Sequence, residues 1–257
     1  MEESMEGPVE VPEPPPKRAP GGLGAPFALG GVTVVRHGES TANVAFAEAV
    51  GTGATEPMPG SDAEVGLSLL GVRQAGALGR WFAGLGAADQ PQMAICSTYR
   101  RARETWAVMA RTAARLGAAV PPVLVDERLR DREMGVFELH PPPALRARDP
   151  RESARRELLG DWAYRPPGGE STADVALRVR DFLTELDRTL PGGRVLLVAH
   201  DAVVAGVRFV VEGVGAPVPD GLPPVPNASV SRWTGDGRRL HLTEWGGTGH
   251  LEREAPR

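Results

Sequence analysis

The run Arg36-His37-Gly38-Glu39-Ser40-Thr41-Ala42-Asn43 sets a histidine beside an arginine, directly after the short apolar and β-branched stretch 31–35. That stretch predicts a strand, and Gly38 lets the backbone turn sharply behind the histidine into a helix. His37 then stands at the carboxyl end of a strand. Open α/β sheets bind ligands at that edge, and a helix N-terminus there presents free N–H groups to an anion. A neutral imidazole in this place can attack phosphorus, while the Arg36 guanidinium can hold phosphoryl oxygens. Phosphate is the natural occupant.

Two further strand ends carry matching chemistry. Residues 92–96 read as a second strand running into Ser97-Thr98-Tyr99-Arg100-Arg101-Ala102-Arg103-Glu104-Thr105, which opens a helical pattern. Residues 194–199 read as a third, with His200 at its end. Each residue has a plainer reading when taken singly: Arg36 can pair with Glu39, Arg101 can be one of the solvated charges around Arg100, Arg103 and Arg111, and His200 can be a core histidine. Those readings leave unexplained why three strand ends match, whereas a parallel sheet brings all three to one rim. A phosphomonoester carries close to two negative charges, so its transfer depends on positioning and electrostatics. Two guanidiniums and a second imidazole supply both, and neither a metal nor a cofactor is expected.

In chain order, the Arg36-His37-Gly38-Glu39 start, Asn43, the segment 97–105, Gly169-Glu170-Ser171 and Val198-Ala199-His200 resemble the histidine phosphatase superfamily, in the branch that includes the cofactor-dependent phosphoglycerate mutases. The landmarks run from about Val32 to about Trp233. The resemblance implies that His37 is the nucleophile that becomes phosphohistidine, and that Arg36, Asn43, Arg101 and His200 form a phosphate pocket. Arg101 is the match, not Arg100, because it directly precedes Ala102.

The acid that protonates the leaving oxygen stays open between four carboxylates. The mutase-like branch has a glutamate four positions before a glycine; here Asp131 stands before Gly135, one methylene shorter. The acid phosphatase and phytase branch uses a His-Asp pair, which makes Asp201 a rival, although an aspartate between a strand and the helical pattern 202–212 is also a natural N-cap. Asp131 comes first because the frame around it matches too. Glu133, a candidate partner of Arg130 or Arg132, and Glu170, placed to order the loop before its helix, follow behind.

The elements that must position these residues alternate between strand and helix. Residues 69–85 form an amphipathic pattern with Leu70, Ala77, Leu78, Trp81 and Phe82 on one side; residues 103–116 and 171–190 are further helices, the last with Ser171 and Asp174 as a capping start. Residues 123–125 are another strand, and 228–233 with 240–245 make a hairpin around Gly235-Asp236-Gly237. The expected fold class is α/β, a three-layer sandwich with a mostly parallel central sheet flanked by helices and one antiparallel edge hairpin. Residues 29–250 are expected to be a single domain, with a specificity insert around 140–167.

Composition narrows the setting. The segment 1–28 has six prolines between Pro8 and Pro20 and no face to bury, so it reads as a disordered Pro-rich tail. Charges of 29 basic against 33 acidic residues, a net of −4, argue against nucleic acid or an anionic membrane as partner. A lone Cys96 and the lack of a leader-like or spanning segment suggest a soluble, cytoplasmic protein, with a homodimer left open. His140, His241 and His250 read as a loop residue, a strand-face residue and part of a tail. The loop 45–66 and the insert 140–167, which holds Trp162, Tyr164 and several arginines, are expected to line the pocket mouth and to suit an anionic or bulky phosphorylated metabolite. The expected function is a phosphomonoesterase acting on a small phosphorylated substrate through phosphohistidine. The alternatives are a phosphoglycerate mutase-type phosphoryl transferase and a non-catalytic phosphate-binding protein.

Overall fold

Six apolar strands form one sheet in the computed structural model, which describes residues 24–252. They are β1 (Gly31–Arg36), β2 (Met93–Cys96), β3 (Val123–Val125), β4 (Arg194–Ala199), β5 (Val230–Gly235) and β6 (Leu240–Gly247), in the spatial order β3-β2-β4-β1-β5-β6. The first four of that order pair in parallel, and β5 runs antiparallel to both β1 and β6. The helices among the described residues are α1 (Thr41–Thr52), α2 (Leu69–Ala83), α3 (Arg100–Arg115), α4 (Pro142–Arg148), α5 (Pro150–Ala163), α6 (Thr172–Thr189), α7 (Asp201–Glu212) and α8 (Gly249–Glu252). None is long and apolar enough to cross a membrane.

The central strands are apolar on both faces, as a sheet covered on both sides requires. Val32, Val34, Val195 and Leu197 pack with Val175, Val179 and Leu183 of α6 and with Val203 and Val207 of α7. Val35, Leu196, Val198 and Ala94 face the other way, onto Leu78 and Phe82 of α2 and Trp106 and Met109 of α3. This is the expected three-layer α/β arrangement.

Strand register places the ends. Arg36 pairs with Ala199 and Cys96 with Val198, so His37 and His200 leave the sheet as neighbours and Ser97 leaves beside them. Backbone hydrogen bonds carry the register past the strands: His37 N donates to Ala199 O at 2.9 Å, and Ser97 N to Val198 O at 3.0 Å. A slip of one residue would turn every side chain to the opposite face and carry His37 out of line with His200.

Several expectations are corrected. Leu70 is 40% exposed rather than part of the buried face of α2, because Leu78, Phe82 and Ala75 already fill the sheet side. Asp201 is the first residue of α7 and not its N-cap; His200 holds that position. His250 belongs to α8 instead of a tail, where its Nε2 meets Ala228 O at 2.9 Å. Residues 24–28, expected at the end of a disordered tail, are packed: Phe27 is buried, Phe27 N donates to Arg238 O, and Ala28 N donates to Asp187 Oδ1 at 2.6 Å. The proline-rich part, Pro8 to Pro20, lies outside the described residues.

The turn behind His37 passes directly over the first turn of α2. A Cβ on Gly38 would lie 2.6 Å from Gly71 O, and one on Gly71 only 2.0 Å from Glu39 O, so neither residue can carry a side chain without moving backbone. Gly71→Ala is therefore expected to destabilise the fold by about 1–3 kcal/mol, the usual range for forced overpacking. Gly51→Ala in α1, where nothing lies within 4 Å, should be neutral or stabilising by about 0.5–1 kcal/mol through helix propensity. Equal effects of the two variants in denaturant unfolding would contradict the close approach.

Candidate active site

The carboxyl ends of β1, β2 and β4 form the floor of a cavity of about 1020 Å³. His37 follows β1, His200 follows β4, and Arg101 lies in the first turn of α3 behind β2. Ligating atoms of His37, Asp131 and His200 fall within 4.8 Å of one another. The two imidazole centroids are 5.1 Å apart, edge to face.

His37 has a fixed tautomer. Its Nδ1 is 2.7 Å from Gly38 O, and a carbonyl can only accept, so Nδ1 carries the hydrogen and Nε2 is the bare nitrogen of the neutral ring. Burial, followed by the charges of His200, Arg101 and Arg36, holds the His37 pKa well below its ordinary value of 6.5. The turn itself is pinned by Thr105, whose Oγ1 accepts from Gly38 N at 3.1 Å and donates to Arg101 O at 2.7 Å. One hydroxyl thus ties the His37 turn to the helix that carries Arg101.

Each arginine at the site is held by oxygens. Arg36 Nη1 donates to Val225 O at 2.5 Å, and Nη2 lies 3.3 Å from Asp201 Oδ2, while its buried Nε has no partner. Arg101 is 3% exposed. Its Nη1 donates to Asp62 O at 2.7 Å and Asp62 Oδ1 at 2.9 Å, and its Nη2 to Asp62 Oδ2 at 3.1 Å and Asp131 Oδ2 at 2.7 Å. Asn43 completes a capping box with Ser40: its Oδ1 accepts from Ser40 N, Ser40 Oγ and Asn227 Nδ2. Asn43 also lines the cavity.

The four candidate acids separate clearly. Asp131 reaches the centre, with Oδ2 3.2 Å from His200 Nδ1 in a close but poorly aligned contact. Burial alone would raise its pKa; His200, Arg101 and His37 outweigh that and hold it well below the ordinary carboxylate value. Asp201 is half-exposed and faces Arg36. Glu133 lines the cavity but is exposed and paired with Arg130 at 3.1 Å. Glu170 lies outside the lining, held by Arg130 and Arg178 at 2.7 and 2.9 Å, and donors fill the oxygens it would need for chemistry.

Three residues at the site escaped sequence reasoning. Asp62 clamps Arg101, and burial first, with Asp131 adding to it, raises its pKa above the ordinary value. Ser97 Oγ is 2.8 Å from His200 Nε2. Tyr99 packs edge-on against His200 at 5.3 Å and under the Arg101 guanidinium at 4.9 Å. Ser97 and Tyr99 lie in the segment already singled out, but Asp62 is 39 residues from Arg101 and no local pattern marks it. From the insert 140–167, His140, Pro142, Arg156 and Asp161 line the cavity; Trp162 instead packs on Phe209 at 4.5 Å, and Tyr164 is fully buried.

The His37, Asp131 and His200 donors have the spacing to hold a cation. Arg101 Nη2 already sits 2.7 Å from the Asp131 oxygen they would share, and Arg36 faces the same cavity, so the surroundings suit an anion. In phosphate-free buffer, nitrogen-detected NMR of the His37 ring should show the Nδ1–H tautomer and a titration midpoint below 6.5. Because the pKa is lowered, the free base persists as pH falls through that value. A midpoint at or above it, or the other tautomer, would contradict the geometry.

The chain matches the family model of the histidine phosphatase superfamily (branch 1) across residues 32–248. It is 30% identical over 188 residues to a 2,3-bisphosphoglycerate-dependent phosphoglycerate mutase of Methylorubrum populi, covering 71% of this chain and 79% of the mutase. It is 34% identical over 127 residues to a Mycobacterium tuberculosis glucosyl-3-phosphoglycerate phosphatase, covering 46% of this chain and 53% of that protein. The solved structure of a mycobacterial glucosyl-3-phosphoglycerate phosphatase with VO3 superposes with a TM-score of 0.65 at 28% identity, over 85% of this chain and 99% of the other. A match that spans the whole sheet and every strand end described above makes this chain a member of the histidine phosphatase superfamily, branch 1.

Proposed function

We propose that the protein is a metal-independent phosphomonoesterase that works through a phosphohistidine on His37. One observation carries the reading: a buried imidazole with Nδ1 committed to Gly38 stands among Arg36, Arg101 and His200 on the floor of a cavity. His37 Nε2 attacks phosphorus, the bond from phosphorus to the alcohol oxygen breaks, and the phosphoryl group moves to nitrogen. Arg36 Nε, the Asn43 amide, Arg101 and His200 supply donors for the three phosphoryl oxygens, whose spread charge is what such a pocket stabilises. Water then attacks the phosphohistidine, releasing inorganic phosphate and the free imidazole.

Asp131 is the acid in this account. Its carboxyl is ionised in the empty site, because the cations around it outweigh its burial. An arriving phosphate dianion reverses the local balance: it neutralises those cations and adds a like charge, both of which raise the carboxyl's pKa. Asp131 takes up a proton on binding, gives it to the leaving oxygen, and receives one from the attacking water in the second step. A phosphoglycerate mutase-type reaction would use the same residues. Hydrolysis is favoured because a cavity of about 1020 Å³ leaves room for water beside phosphorylated His37.

The leaving group tests the assignment. An alkoxide needs a proton far more than nitrophenolate does, so Asp131→Asn should cost about 10²–10⁴-fold on an alkyl phosphate and much less on p-nitrophenyl phosphate. Asp201→Asn should cost less, and equally on both, by freeing Arg36. EDTA should leave turnover unchanged. A leaving-group contrast at Asp201, or at neither aspartate, would overturn the role of Asp131, and loss of activity in EDTA would overturn the metal-independent mechanism.

A further inference from the structure

The cavity above the phosphate floor is acidic, against the expectation that the arginines of the insert prepare it for an anionic metabolite. Its lining holds eight carboxylates and four arginines. Each of those arginines already faces carboxylate: Arg36 faces Asp201 at 3.3 Å, Arg101 faces Asp62 and Asp131, and Arg132 and Arg156 both bind Asp161, at 2.9 and 2.8 Å. The remaining insert arginines are also engaged or turned away. Arg155 pairs with Glu152, Arg165 with Asp174, and Arg148 Nη1 meets His140 Nε2 at 2.8 Å. Arg146 on α4 and Arg151 on α5 lie exposed, outside the lining.

Two lining carboxylates face no cation among the described residues. Glu138 is exposed and accepts only from Ser61 Oγ and Asp62 N. Asp220 is exposed and accepts only from Trp162 N at 3.0 Å. Both therefore keep oxygens for a ligand, and those oxygens can only accept hydrogen bonds. A second anionic group on a bound phosphomonoester would meet like charge there, and each arginine that lines the cavity already faces a carboxylate, whereas a hydroxyl or an ammonium would find acceptors.

Resting on the phosphatase reading above, we propose that the substrate is a phosphomonoester whose organic part carries hydroxyl or ammonium donors and no second anion, and that Glu138 and Asp220 select for it. A three-carbon acid such as 3-phosphoglycerate is then a poor substrate, although relatives of this chain carry phosphoglycerate in their names. Bisphosphorylated primers meet the same repulsion, which again favours hydrolysis over phosphoryl exchange.

A matched pair of substrates tests this. Glycerol 3-phosphate and 3-phosphoglycerate share a three-carbon body and differ at one terminus, hydroxymethyl against carboxylate; p-nitrophenyl phosphate serves as the reference for the phosphatase reaction itself. We expect kcat/KM for glycerol 3-phosphate to exceed that for 3-phosphoglycerate by about tenfold or more at low salt, and the gap to narrow as salt screens it. The double variant Glu138→Gln, Asp220→Asn keeps the acceptors' size and should raise 3-phosphoglycerate relative to glycerol 3-phosphate several-fold. Equal or better turnover of 3-phosphoglycerate, or a gap that neither salt nor the double variant changes, would overturn the inference while hydrolysis of p-nitrophenyl phosphate upholds the phosphatase reading. Failure to hydrolyse all three compounds would overturn that reading, and the inference with it.

Discussion

The pairing of β1 with β4 is the constraint on which the site depends. Arg36 opposite Ala199 delivers the two histidines side by side, and β2 on the other flank of β4 delivers Ser97 and the start of α3 at the same level. Nothing in the loops has to bring the imidazoles together. The valines and leucines of both cores pack in this register, and a slipped strand would turn each of them to the other face and separate the two histidines. Core packing and site geometry are therefore one requirement.

Upon that frame sits a costly arrangement of charge. Arg101 is almost fully buried between Asp62 and Asp131. Removing either carboxylate from such a group leaves charge uncompensated, a loss of about 3–5 kcal/mol in comparable buried pairs. The return is functional. Carboxylates hold the guanidinium in place; burial first, and then the neighbouring cations, push the His37 pKa down, while cations hold the Asp131 carboxyl below its ordinary value against its burial. In the mechanism we propose, a phosphate entering this pocket trades places with the carboxylates as counter-ion to the arginines, and that exchange moves the proton on which leaving-group departure depends.

Much of this was legible in the chain because its signals are local. A strand, a histidine and a glycine in succession at residues 31–38 specify a strand end and a turn, and an apolar strand that gives way at once to polar, helix-opening residues recurs at 92–105 and 194–202. The capping box at Ser171 and Asp174 is likewise a four-residue signal, and the helix begins where it says. What the chain concealed is long-range. Asp62 meets Arg101 only after the loop between α1 and α2 folds back over α3, and no spacing announces that contact. The arginines of the insert read as a basic surface although Glu152, Asp161 and Asp174 stand three, five and nine residues from Arg155, Arg156 and Arg165; the pair of Arg132 with Asp161, 29 residues apart, is the long-range one of this group. Asp201 could be recognised as a helix-starting residue, yet the cap went to His200 because the helix begins one residue earlier, directly after the extended His200.

The proposed mechanism requires that His37 Nε2 become covalently bonded to phosphorus. Rapid quenching into alkali with phosphorus-labelled substrate tests it most directly. The account predicts label on the protein that survives base, is lost in acid, maps to the peptide holding His37, and is missing from a folded His37→Ala variant that no longer turns over. Acid-stable label on another residue, or substantial turnover by His37→Ala, would contradict it.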